Sequence, residues 1–145
     1  MELKHIGSGC GVMVIRNNMI LLGRRNEDPE KADSELHEEG TWTMPGGNIK
    51  YGETFEMAGK REVAEETGMH ADDLEVICVQ TDKNEHAHYI SVGMIAHTIA
   101  GNPQLMEPDE IVEWKWFSLN DLPNKLFSPS EKTIKCYLNN KFYID

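Results

Sequence analysis

Three glutamates recur at helical spacing in the middle of this chain, just before a glycine. Glu62, Glu65 and Glu66 occupy positions i, i+3 and i+4, so a helix brings their carboxylates to one face. Like charges at this spacing destabilise a helix unless a cation offsets their repulsion. Oxygen-only ligands suit Mg²⁺ or Mn²⁺ better than zinc or copper. The pattern therefore indicates a helix that either presents a solvated acidic face or binds a divalent cation.

The residues that lead into this helix favour the cation-binding interpretation. Pro45, Gly46 and Gly47 allow a tight turn and the close approach of a ligand to the backbone. Glu53 stands at the start of the predicted helix, residues 54–67, and Arg61 lies two turns further on, where it can pair with Glu53. Gly68 follows as the predicted C-terminal cap.

The rest of the sequence predicts strands and helices without regular alternation. A hairpin is expected where Asn17 and Asn18 separate two apolar runs. The predicted strands are residues 10–15, 19–23, 41–44, 74–81, 88–100 and 111–117, the predicted helices are residues 54–67 and 130–142, and residues 26–40 are predicted to form a loop. The last helix is expected to carry Ile134, Tyr137 and Leu138 on one side. This order indicates an α+β fold in which helices flank a mixed β-sheet. A length of 145 residues fits one domain, residues 1–145.

Charge and composition exclude several classes of function. The chain carries 14 basic and 25 acidic residues, a net charge of −11, which disfavours binding to polymeric nucleic acid. No apolar run approaches the roughly 20 residues of a membrane span. Residues 1–5 show no secretory signal. Cys10, Cys78 and Cys136 are odd in number and far apart, which is typical of reduced thiols and predicts a cytoplasmic location.

Residues 47–69 resemble the Nudix box, G-x5-E-x7-R-E-U-x-E-E-x-G-U, where U is apolar. All nine defined positions match, which makes the signal highly specific. They are Gly47, Glu53, Arg61, Glu62, Val63, Glu65, Glu66, Gly68 and Met69. The flanks resemble the family more weakly, through an N-terminal hairpin ending in two arginines, a Trp-x-x-Pro-Gly-Gly approach and a Trp-x-Trp strand followed by Asp-Leu-Pro. The resemblance implies a Nudix-type α/β/α sandwich.

The resemblance also implies metal-dependent hydrolysis of a nucleoside diphosphate linked to another moiety, with Mg²⁺ or Mn²⁺. Carried over by motif position, Glu62, Glu65 and Glu66 are the expected metal ligands, with the Gly46 carbonyl as a further ligand, and Glu53 with Arg61 is the supporting pair.

Family members differ in which carboxylate deprotonates the attacking water. Some use a glutamate of the box and others a glutamate in a later loop. In this sequence the later loop offers Glu107 and Glu110, and the register against the Trp-x-Trp strand favours Glu110. A solvated acidic loop is the alternative interpretation of both.

Substrate contacts are expected outside the box. Arg24 and Arg25 end a strand and can bind phosphate, with only one of them facing the site. Leu126 and Phe127 are expected to stack loosely on a base, since 8-oxoguanine-specific relatives carry an asparagine in this region. The family also suggests a homodimer.

The short chain resembles the MutT-like branch, which converts a nucleoside triphosphate to a monophosphate and pyrophosphate. ADP-ribose hydrolases usually carry a proline some fifteen residues after the box, and here none occurs between Pro45 and Pro103. Hydrolysis of ADP-ribose, nucleotide sugars or dinucleotides remains an alternative. A non-catalytic nucleotide-binding regulator is a second alternative, although its usual mark is a broken box.

Overall fold

The computed structural model describes residues 4–145, so residues 1–3 and the part of the N-terminal prediction that falls on them lie outside the described residues. The strands are β1 Gly7–Arg16, β2 Met19–Arg25, β3 Trp42–Thr43, β4 Gly46–Asn48, β5 His70–Lys83, β6 His88–Ala100, β7 Ile111–Ser118 and β8 Tyr143–Ile144. The helices are α1 Pro29–Ala32, α2 Phe55–Thr67 and α3 Ser128–Asn139.

Strand β1 joins the two halves of the sheet. Its first part pairs parallel with β6 and antiparallel with β4, and its last residues form the predicted hairpin with β2. Asn17 and Asn18 both adopt positive φ angles in the hairpin turn, as a two-residue turn between twisted strands requires. β5 pairs antiparallel with β6 and parallel with β8, while β2 carries β3 and β7.

Alternating residues of β1 supply the two apolar cores, one on each face of the sheet. Val12 and Val14 pack in one core with Ala58 and Val63 of α2. Met13 packs in the other core with Ile134 of α3. The helices therefore cover opposite faces, which confirms the predicted mixed sheet between helices.

The segment of residues 26–40, predicted to be a loop, contains one short helix. The side chain of Asp28 accepts a hydrogen bond from the backbone N–H of Glu30, and Pro29 occupies the first helical position. Asp33 ends α1 in the left-handed conformation. A single helical turn carries too little periodicity to be recognised from sequence, although Asp28 and Pro29 are a typical helix start.

The C-terminal helix differs from its prediction in both its ends and its buried face. α3 begins two residues early, at Ser128, and ends at Asn139 because Asn140 takes the left-handed conformation. The chain then turns back to form β8. The buried side includes Thr133 and Ile134, whereas Tyr137 and Leu138, expected beside Ile134, are exposed.

Helix α3 lies close to the sheet at one glycine. A Cβ atom on Gly93 of β6 would fall 2.3 Å from Thr133 Oγ1, so the small residue lets the polar Thr133 side chain pack against the sheet. This contact sets the rotation of α3, and apolar periodicity alone does not reveal it.

Among residues 4–145, none of the helices has the length and apolar character needed to span a membrane.

Candidate active site

A cleft of about 580 Å³ runs beside α2 and brings together residues that are distant in sequence. Its lining includes β4 and the glutamates of α2, as well as residues of β5, the segment before α3 and the first turns of α3. Residues 32–36, the turn before β7 and parts of β1, β2, β3 and β6 also line it.

Helix α2 ends where the sequence predicts and begins one residue later, at Phe55. Thr54 caps its start by accepting a hydrogen bond from Met57 N, and Gly68 ends it at a φ of 72°. Glu62 and Glu66 are 8% and 6% exposed, whereas Glu65 is open to solvent. The acidic face is therefore largely buried, which disfavours the solvated-face interpretation.

Arg61 ties the carboxylates of this region together. Its Nε donates to Glu53 Oε2 at 2.7 Å and its Nη2 to Glu53 Oε1 at 2.9 Å. Its Nη1 donates to Glu62 Oε1 at 2.7 Å and to Glu65 Oε2 at 3.2 Å. Nη2 also donates to the carbonyl of Asn48, which fixes β4 against the helix. These bonds from Arg61, together with one from the backbone of Lys50, lower the pKa of Glu53 to about 2.

Within the described part of the chain, Glu66 has no such cationic partner. Its Oε1 accepts a hydrogen bond from Gly46 N at 3.2 Å. Burial raises the pKa of Glu66 well above its ordinary value, and the hydrogen bond and charge of Glu62 act in the same direction. A buried carboxylate beside another carboxylate is costly unless a cation compensates it.

Two glycines allow β4 to approach its neighbours closely. A Cβ on Gly46 would lie 2.2 Å from the carbonyl oxygen of Cys10, in the backbone of β1. A Cβ on Gly47 would lie 2.7 Å from Glu62 Oε1. Any side chain at Gly47 would therefore displace the carboxylate, and the backbone of β4 sits directly over the acidic face.

These donors fit a divalent cation. Glu62, Glu65 and Glu66 would supply hard oxygen ligands on one helix face, and the Gly46 carbonyl belongs to the strand packed beside it. Within residues 4–145, no group of three or more Asp, Glu, His or Cys side chains is already arranged to hold a metal ion. Arg61, which bonds to Glu62 and Glu65, would have to release part of those bonds for a cation to bind there.

The later glutamates lie on the turn before β7 and also line the cleft. The turn closes through hydrogen bonds from Glu110 N and Ile111 N to the carbonyl of Glu107. Burial raises the pKa of Glu110 to about 7; the charges of Glu107, Asp33 and Glu62 add to this rise, and Arg25 opposes it. Burial raises the pKa of Glu107 as well, with contributions from Glu62 and Glu65.

Arg24 and Arg25 have different surroundings, and the pairing of β2 with β7 shifts register between them. Arg24 pairs with Glu113 of β7 and does not line the cleft. Arg25 is 4% exposed, lines the cleft and donates from Nη1 to the carbonyls of His37 and Glu38. Its Nη2 is buried and finds no partner among the described residues.

Leu126 and Phe127 also differ in their surroundings. Leu126 packs against the core of Met13 and forms a bridge with Trp42 of β3, so its side chain does not line the cleft. Phe127 does line the cleft, and the guanidinium carbon of Arg25 lies 4.5 Å from its ring centre. Of the expected apolar pair, only Phe127 is available to a base.

A NUDIX domain model matches residues 6–137. The chain belongs to the Nudix family. An ADP-ribose pyrophosphatase from Methanocaldococcus jannaschii is 35% identical over 128 residues, covering 87% of this chain and 69% of that protein. The NAD-capped RNA hydrolase NudC of Pseudomonas putida is 32% identical over 124 residues, 86% of this chain but only 43% of the relative. This chain thus spans less than half of that protein.

The fold is also similar to solved structures of MutT proteins. A MutT Nudix hydrolase from Burkholderia pseudomallei superposes with a TM-score of 0.80 at 30% identity, covering 91% of this chain and 98% of that one. A MutT protein from Methanosarcina mazei gives a TM-score of 0.74 at 22% identity, covering 97% and 99% of the two chains, and supports the fold alone.

Part of the lining of this Nudix cleft was not predicted from the sequence. The segment after α1 contributes Ser34, Glu35 and Leu36, and Gln80 of β5 and Thr133 of α3 contribute polar side chains. Gln80 carried a usable signal, because it is a polar residue inside an otherwise strand-like run. The contribution of residues 34–36 depends on tertiary contacts, such as the bond from Asn84 Nδ2 to the carbonyl of Leu36.

Proposed function

We propose that this Nudix protein hydrolyses a nucleoside triphosphate to a nucleoside monophosphate and pyrophosphate with the help of divalent cations. The observation that carries the proposal is the arrangement of α2 against β4. There, the buried Glu62 and Glu66 face a glycine backbone at the side of a cleft, and Arg61 donates a hydrogen bond to Glu62. The likeness to the Burkholderia MutT structure supports the choice of a triphosphate.

A divalent cation, Mg²⁺ or Mn²⁺, would neutralise phosphate charge and polarise the phosphorus that water attacks. Glu62, Glu65, Glu66 and the Gly46 carbonyl would hold it. The net charge of −11 makes this neutralisation necessary, because the protein and a polyphosphate otherwise repel each other.

The chain's own residues have separate roles in this proposal. Arg61 and Glu53 hold the carboxylate face and β4 in position. Arg25 offers its unpartnered Nη2 to a phosphate oxygen. Phe127 gives an aromatic surface for the base. Glu110 accepts the proton of the attacking water, a role that a pKa near neutrality suits.

The pH dependence of the rate tests the role of Glu110. A base must be ionised, and the pKa of Glu110 is about 7, so kcat/KM is expected to rise with pH and level off above about pH 8. Glu110→Gln should lower kcat by about 10²-fold or more and remove this rising limb. Glu107→Gln is the matched control and should keep the rising limb but shift it to lower pH, because the charge of Glu107 helps to raise the pKa of Glu110. The same rising limb in Glu110→Gln would exclude Glu110 as the base.

Hydrolysis of ADP-ribose is the second candidate function. The name of the Methanocaldococcus relative, at 35% identity, favours it. The missing proline between Pro45 and Pro103 opposes it. The same carboxylates and Arg25 would serve both substrates, because both contain a diphosphate linkage attached to a nucleoside.

A substrate panel tests the proposed function. Nucleoside triphosphates, ADP-ribose, nucleotide sugars, dinucleoside polyphosphates and NAD-capped RNA are incubated with Mg²⁺, and phosphate and pyrophosphate are measured. Pyrophosphate released from triphosphates is the expected result. Turnover only of ADP-ribose or a sugar nucleotide, detected as phosphate after phosphatase treatment, would contradict the triphosphate assignment. Tight nucleotide binding without any turnover would instead indicate a non-catalytic regulator.

A further inference from the structure

Part of the cleft lining consists of polar, uncharged side chains. They include Gln80 of β5 and Ser130 and Thr133 of α3, and each of these three side chains is 2% exposed or less. Phe127, one residue before α3, adds an aromatic ring. An aromatic ring beside a few fixed polar groups suits a nucleobase, whereas the carboxylate wall suits cations and phosphates.

The amide of Gln80 has a fixed orientation. Its Nε2 donates to the carbonyl of Pro129 at 3.1 Å and to Thr133 Oγ1 at 3.2 Å. A backbone carbonyl can only accept, so the contact with Pro129 identifies the nitrogen and rules out the flipped amide. Both protons of the Gln80 amide are therefore donated to atoms of α3.

The oxygen of this amide lacks a hydrogen-bond donor among the described residues. Gln80 Oε1 is buried and has no hydrogen-bond partner in the part of the chain that the structure describes. A buried acceptor without a donor is costly, and such groups are rare in folded proteins. The side chain lines the cleft, so a ligand there can supply the missing donor.

The neighbouring hydroxyl groups of Thr133, Thr43 and Ser130 already donate hydrogen bonds within the protein. Thr133 Oγ1 donates to the carbonyl of Pro129. Thr43 Oγ1 donates to the carbonyl of Met44, which leaves Ser130 Oγ as the donor in the contact between the two hydroxyls. Ser91, opposite Gln80 on β6, can either donate or accept and so discriminates less. The group of fixed polarity in this part of the cleft is therefore the acceptor Gln80 Oε1, which has no donor among the described residues.

We infer that Gln80 is a specificity-determining residue whose Oε1 accepts a hydrogen bond from the exocyclic amino group of the base. The inference rests on the proposed function, because it assigns the base end of the same substrate. An amino group satisfies a lone acceptor. A carbonyl in its place would face the Gln80 oxygen, and the Gln80 amide protons could not turn to meet it. The site therefore favours adenine over hypoxanthine and cytosine over uracil.

Matched substrates that differ in one group test this inference. We expect wild-type kcat/KM to be about tenfold or more higher for ATP than for ITP, and for CTP than for UTP. Gln80→Met removes the acceptor at similar volume and should bring both ratios to within about twofold, mainly through KM. Gln104→Met, the same change at an exposed position, should keep the wild-type ratios. Wild-type ratios near one, or unchanged ratios in Gln80→Met, would overturn the inference.

Equilibrium binding separates this inference from the proposed function. Gln80→Met also loses two hydrogen bonds to α3, so its fold needs checking by circular dichroism. The affinities of AMP and IMP for the wild-type protein need neither that variant nor turnover. Tighter binding of AMP supports the role of Gln80 even if no triphosphate is hydrolysed. Equal dissociation constants would overturn it even if triphosphates are hydrolysed.

Discussion

Glu66→Gln is expected to lower Mg²⁺-dependent turnover by at least about a hundredfold while the protein remains folded. The glutamine side chain still accepts the hydrogen bond from Gly46 N, so the packing of β4 on α2 is kept. It lacks the charge that a cation needs. Because that charge is buried beside Glu62, its removal should leave the melting temperature in chelator unchanged or higher.

The control for this variant is Glu75→Gln, the same change at an exposed carboxylate on β5 that pairs with His97. It should leave turnover within about twofold of wild type. Steady-state kinetics across a range of Mg²⁺ concentrations and thermal unfolding of each variant are the measurements. Near-normal turnover by Glu66→Gln would show that Glu66 is not a metal ligand.

Arg61→Ala is expected to have the largest effect on stability. It removes the hydrogen bonds to Glu53, Glu62 and Glu65 and the bond to the Asn48 carbonyl that holds β4. The remaining carboxylates then repel one another in a partly buried place, so we expect the melting temperature to fall by roughly 5–10 °C and activity to be largely lost. Arg61→Lys should recover only part of this loss, because an ammonium group cannot bond to both oxygens of Glu53 in the guanidinium geometry.

Arg24→Ala is the matched control for Arg61→Ala. It breaks the pair with Glu113, in which the two side chains are 38% and 48% exposed. Exposed pairs contribute little to stability, so the melting temperature should stay within about 2 °C of wild type. Equal melting temperatures for Arg61→Ala and Arg24→Ala would contradict the role assigned to Arg61.

The box and its helix could be predicted from sequence because their signals are local. The spacing of Glu62, Glu65 and Glu66, the cap residues of α2 and the glycines of β4 all lie within one stretch of chain. The pairing of Arg61 with Glu53 follows from the same spacing. The hairpin of β1 and β2 was equally local, because Asn17 and Asn18 specify its turn.

Features that depend on distant contacts could not be predicted in this way. The packing of Thr133 against Gly93 sets the buried face of α3, and the two residues are 40 positions apart. Cys78 and Cys136 are far apart in sequence, but their buried thiols lie side by side. Adjacent residues were also hard to assign, since only the fold shows that Phe127 and not Leu126 lines the cleft.

The triphosphate arm of the substrate panel, run with Mg²⁺ and again with a chelator, is the most direct test of a cation-dependent hydrolase. We expect the wild-type protein to release pyrophosphate and nucleoside monophosphate only when Mg²⁺ is present, and Glu66→Gln to release almost none in either condition. Equal product formation in Mg²⁺ and in chelator, or by wild type and Glu66→Gln, would contradict a cation-dependent site on the glutamate face of α2.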